Sequence, residues 1–130
     1  MREVNLPEFI EILLPTRDRN GRVLSAAKQR EWMERLARYL LETLKVTGFQ
    51  ESKREGAWKQ EQRDLREYDP KTDRLYLVRE KLHVMRTSCT RAQVNAFRKG
   101  GEALLVEMGK ALNQEAVAYE TRQGLTILTL

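Results

Sequence analysis

The order in which hydrophobic periodicity changes along this chain constrains its fold more than any other feature. Phe9 to Leu14 is a short apolar run, and from Ser25 to Lys45 apolar residues return every three or four positions. Strand-like runs occupy the stretch between Phe49 and Thr87. Thr90 to Leu112 is helical again, and Glu115 to Leu130 reads as a closing hairpin. That order predicts one α+β domain over residues 1–130, with an antiparallel sheet and two helices on one of its faces.

Local signals sharpen the reading. In the first strand Ile10, Ile12 and Leu14 point one way, and Phe9, Glu11 and Leu13 the other. Glu11 predicts that the second face is partly solvated. Pro15 ends the strand, and Asp18-Arg19-Asn20-Gly21 is a turn signal. Ser25 is a candidate N-cap for the first helix. Trp32, Met33, Leu36, Leu40 and Leu44 form that helix's core stripe, and Gly48 is placed to terminate it. Arg74 to Arg79 and Lys81 to Thr87 both alternate, as one bent strand or two. Tyr68 to Asp73 has turn chemistry. Thr90-Arg91-Ala92-Gln93 is a capping box opening the second helix, whose Gly100-Gly101 predicts close backbone packing against the sheet. Gly124 supplies positive φ to the last turn. The order of elements is that of a split βαβ, ferredoxin-like sandwich.

Composition removes several function classes. No apolar run approaches the roughly 20 residues of a membrane helix, and Met1 to Asn5 carries no secretory pattern. Cys89 is the one cysteine, which excludes an internal disulfide and suits a reducing, cytoplasmic setting. With one His and one Cys, a His/Cys zinc site within the chain is excluded. No P-loop, dinucleotide fingerprint or nucleophile elbow is present, so no cofactor is expected. The net charge is +5, and its excess lies between residues 50 and 100, where thirteen basic face eight acidic side chains. An anionic partner would meet that part of the chain first.

The candidate chemistry sits in the same stretch. Trp58, Arg74, Tyr76, Arg79, Lys81 and Arg86 mix aromatics with cations, as single-strand nucleic-acid binders do. Arg74-Leu75-Tyr76-Leu77-Val78-Arg79 does not match the RNA-recognition consensus, because aliphatics dominate it. A packing role for Trp58 and Tyr76 is the plainer alternative. His83 is the one residue of the general-base type, and it lacks an acid on its own strand face. Cys89 beside the second helix's start is either a dipole-favoured thiolate or an inert buried thiol. Asp69 and Asp73 bracket a turn and read as structural.

Gly56-Ala57-Trp58, followed much later by Asn113-Gln114-Glu115-Ala116-Val117, resembles small uncharacterised bacterial ferredoxin-like families with a Gly-x-Trp and a Gln-Glu-x-Val. The resemblance implies the fold and carries no activity. The leading functional expectation is therefore a non-enzymatic binding module for RNA or DNA on the basic central sheet. A protein-interaction domain docking through its open sheet face comes next, and a small enzyme using His83 third. Leu125 to Leu130 has strong β character and no charge, so homodimerisation through the sheet face or this strand is also expected.

Overall fold

Apolar alternation and two capped helices produce the architecture in the computed structural model, which describes residues 3–59 and 77–130. Strand β1 (Glu8–Pro15) leads to helix α1 (Ala26–Arg38), which runs into a π-helical turn (Tyr39–Thr43). Then come β2 (Gln50–Lys59) and β3 (Leu77–Cys89). Helix α2 (Arg91–Ala96), a second π-helical turn (Phe97–Gly101) and α3 (Glu102–Ala111) form one continuous helical stretch. Strands β4 (Ala116–Thr121) and β5 (Gly124–Thr129) close the chain. The sheet order is β2-β3-β1-β4-β5, and every pairing is antiparallel. This is the expected α+β fold, consistent with a ferredoxin-like sandwich, with β5 added outside β4. Lys81 to Thr87 belongs to the single long strand β3. The Tyr68–Asp73 turn lies outside the described residues.

Both helix starts form as their sequences dictate. Ser25 Oγ accepts from Lys28 N at 3.2 Å, and Thr90 and Gln93 make the reciprocal capping box. Ile10, Ile12 and Leu14 of β1 and Met85 of β3 meet Trp32, Leu36 and Leu40 together with Val94, Phe97, Leu105 and Met108. Each such fully buried side chain contributes about 1.5–3 kcal/mol. Tyr39, Phe97 and Tyr119 stack edge to face across the layers, with centroids 6.2 and 4.9 Å apart.

Three local expectations are corrected. Helix α1 ends not at Gly48 but at Lys45, which adopts φ 59° just after the π-helical turn. Gly101 packs first against an aromatic ring rather than the sheet: a Cβ there would lie 2.3 Å from the Phe97 ring. The Phe97 ring then carries the contact on to Tyr119 in the sheet. Glu11 is not a solvated residue of an open face, since it is 3% exposed. Leu82 and Val84, also opposite the helices, are buried as well. Exposed large apolar groups on that face, among the described residues, are Leu125 and Ile127 of β5.

Candidate functional site

Where β1 ends, the chain builds a rigid wall. Pro15, the last residue of β1, has no N–H to donate to a ladder, and the Thr16 hydroxyl donates to the Lys81 carbonyl, tying the strand end to β3. Asp18 Oδ1 accepts from the amides of Asn20 (2.8 Å) and Arg22 (3.0 Å), which holds its carboxyl below the usual carboxylate range. Gly21 takes φ 78°, and its carbonyl accepts from Arg17 Nη1 at 3.0 Å. Arg17 bridges to Val23, and Gln114 Nε2 donates to the Arg17 carbonyl at 2.7 Å. The loop is thus fixed at both ends and in the middle.

Facing this wall is the helix-side surface of the β2–β3 ladder. The register sets Lys53 opposite His83 and Glu55 opposite Lys81. Because side chains alternate along a strand, these four share one face. With Thr16, Arg17, Val23 and Leu82 they line an open cleft of about 360 Å³, within the size range of small-ligand sites. Its charges are three cations (Arg17, Lys53, Lys81) and one carboxylate (Glu55), with the His83 imidazole half-buried between them. Val23 keeps 67% of its surface exposed and offers an apolar lip. Such a cleft can hold an acidic group at one place and a flat apolar one at another.

The opposite face carries an ion-pair cluster. Buried Glu11 accepts from Arg54 and from Arg86 Nη1, the latter at 3.2 Å, and Arg86 lies 4.0 Å over the Phe9 ring. Burying Glu11 is tolerable only because both guanidinium groups reach it. At the far end of β1, Glu8 is likewise buried and accepts from Arg91 Nε at 3.1 Å. Cys89, paired with Glu8 across the strands, is fully buried. Burial, and secondarily the Glu8 charge, push its thiol up to about 11, so it is no thiolate nucleophile.

The structure divides the predicted basic-aromatic set. Arg74 and Tyr76 lie outside the described residues. Trp58 and Arg79 have their backbones in the β2–β3 ladder. Lys81 and His83 enter the cleft, whereas Arg86 points to the other face and is committed to Glu11. Lys81 and Arg86 are therefore not brought together as one phosphate-binding surface. Sequence reasoning missed Lys53, Glu55, Arg17 and Val23, since only the pairing register and the return of the β1–α1 loop bring them beside His83. Among the described residues, no cluster of three His, Cys, Asp or Glu is placed to hold a metal ion. No described helix is long and apolar enough to cross a membrane.

The sequence matches no family model and none of the curated proteins. Solved structures do match the fold along the whole chain. A phage SAM lyase in complex with S-methyl-5′-thioadenosine superimposes with a TM-score of 0.61 at 12% identity, covering 100% of this chain and 95% of the other. A phage SAM lyase in the apo state gives a TM-score of 0.64 at 11% identity, with the same coverage of both chains. At such identities the likeness is one of fold. It nonetheless overturns the leaning toward a non-enzyme and the leading expectation of a nucleic-acid module, as well as that of a docking domain. The scaffold matched from end to end is that of an enzyme, and the cations on which the nucleic-acid reading rested are split between two faces.

Proposed function

We propose that this chain is an enzyme of the same kind as its structural neighbours, a lyase acting on SAM (S-adenosylmethionine). The observation that carries the reading is the end-to-end match to two SAM lyase structures, 100% of this chain on 95% of the other. The cleft between β2–β3 and the β1–α1 loop supports it, being of a size for a nucleoside with an amino-acid arm. Lyase chemistry that leaves S-methyl-5′-thioadenosine breaks the bond from the sulfonium sulfur to the Cγ of that arm. The sulfur keeps the electron pair and becomes a neutral thioether. The arm either closes through its own carboxylate onto Cγ, with no proton moved, or loses a Cβ proton to a base.

In this reading the cleft's work is to bind and orient. Val23 seats the nucleoside, Glu55 faces the positive charge of the sulfonium or ammonium, and His83 is the base if the second route is used. Fixing the arm in a reactive geometry is itself a large part of such a reaction's acceleration. Incubating the purified protein with SAM and following products by mass spectrometry tests the proposal. S-methyl-5′-thioadenosine should accumulate as SAM disappears; unchanged SAM at high protein concentration would refute it. A cytoplasmic setting fits both the substrate and the buried Cys89 thiol.

Self-association belongs to the same proposal, motivated by β5. No described strand pairs with its outer edge, and Leu125 and Ile127 stand 52% and 56% exposed. The expected homodimer buries this strand. Light scattering at tens of micromolar should return at least twice the monomer mass.

A further inference from the structure

We infer that Lys53 and His83 form the carboxylate-reading subsite of the cleft, the feature that would select an amino-acid-bearing nucleoside over a bare one. The inference rests on the lyase reading above and deepens it.

Several of the chain's cations are held by acids outside the cleft. Arg54 and Arg86 are drawn to Glu11 on the opposite face. Arg91 is held by Glu8, Arg19 by Glu115, and Arg35 by Glu107. Within the cleft, Arg17 donates to the Gly21 carbonyl, and Lys81 stands directly across the ladder from Glu55. Lys53 has a different neighbour. Its cross-strand neighbour is His83, not an acid, and no ion pair joins it to another described residue. It is exposed on the edge strand, while His83 is half-buried in the central part of the ladder.

Directly opposed residues on one sheet face have Cβ atoms about 4.5–5.5 Å apart. From neighbouring Cβ positions the flexible Lys ammonium and the imidazole N–H can converge on a single carboxylate, each donating to one oxygen. The surrounding groups complete the recognition. The next rung, Glu55 with Lys81, presents an acid two residues along β2, where a cationic ammonium or sulfonium would be met. Val23, exposed on the facing wall, seats the base or ribose. Acidic, cationic and apolar parts of one ligand are thus addressed at three different places in the cleft. S-Methyl-5′-thioadenosine retains the apolar part and lacks the carboxylate altogether.

That difference supplies the test. Binding of SAM and of S-methyl-5′-thioadenosine is measured by calorimetry for the wild-type chain and for Lys53→Met, Lys53→Arg and His83→Ala. Lys53→Met should weaken SAM about tenfold or more, the value of one charge-assisted hydrogen bond, and leave S-methyl-5′-thioadenosine unchanged. Lys53→Arg should restore most of the lost affinity, and His83→Ala should weaken SAM selectively as well. A wild-type chain that binds both ligands, with Lys53→Met weakening both equally or neither, overturns the subsite alone. A wild-type chain that binds neither overturns the lyase reading and the subsite with it. Lys53 is exposed on an edge strand, so an unchanged thermal midpoint for Lys53→Met keeps a loss of binding from being a loss of fold.

Discussion

At one edge of the sheet, β2 turns Gln50, Glu51, Ser52, Lys53, Arg54 and Glu55 to solvent. At the other, β5 exposes Leu125 and Ile127 and carries no charged side chain. Both are outer strands of the same antiparallel sheet, yet they solve the edge problem differently. Charge on β2 discourages pairing with another chain and at the same time furnishes a polar cleft. On β5 nothing discourages pairing. The charged edge therefore meets the proposed small ligand, and the apolar edge the proposed second copy of the chain. Between them lies a common foundation, the helix layer packed on β1, β3 and β4.

Four substitutions probe the shared foundation and the two edges. Phe97→Ala removes the ring that links α1, the glycine-lined turn and Tyr119, and should cost about 3–5 kcal/mol in urea denaturation. Both edges should lose protection together; loss at one edge alone would mean that the foundation is not shared. Glu11→Ala strips the acceptor from Arg54 and Arg86 and should cost roughly 2 kcal/mol, discounted because both arginines are half exposed. Hydrogen exchange should quicken in β2 and stay unchanged in β5.

Tyr119 acts on the β4 side. Its hydroxyl donates to Glu102, and burial first, then that hydrogen bond, push the phenol up to about 12. Above pH 10 the unfolded chain therefore releases this proton while the folded chain keeps it. The stabilisation is complete below the phenol's ordinary value and is lost between about pH 10 and 12. Tyr119→Phe should cost about 1 kcal/mol at neutral pH. It should also flatten the alkaline decline, leaving the part due to Cys89, whose thiol is raised to about 11. Smallest in stability is Ile127→Lys, within about 0.5 kcal/mol. Its effect should appear in light scattering as conversion to monomer, with SAM turnover per chain retained. Loss of turnover on dissociation would contradict the separation of the two edges.

Much of the scaffold was legible because its signals are local. The stripe from Trp32 to Leu44, the box at Thr90 and Gln93, the alternation of β1 and the turn at Gly124 each act within a few residues, and each forms as read. Glu11 misled for the opposite reason. Its burial depends on Arg54 and Arg86, 43 and 75 positions away, and nothing in the period-two pattern of β1 reports them. The cleft was half legible. His83 and Lys81 stood out as chemistry in a basic stretch, but their companions Lys53, Glu55 and Val23 reach them only through register and loop return. Reading Arg86 with Lys81 failed on parity: an odd separation along a strand sends side chains to opposite faces.

Titration of the ¹⁵N-labelled chain with S-methyl-5′-thioadenosine, observed by NMR, locates the ligand site on one edge or the other. Saturable shifts are expected at Thr16, Arg17, Val23 and Leu82, with Leu125 to Leu128 of β5 unmoved. Shifts centred on β5 or on the Glu11 face, with the cleft silent, would contradict the proposed site.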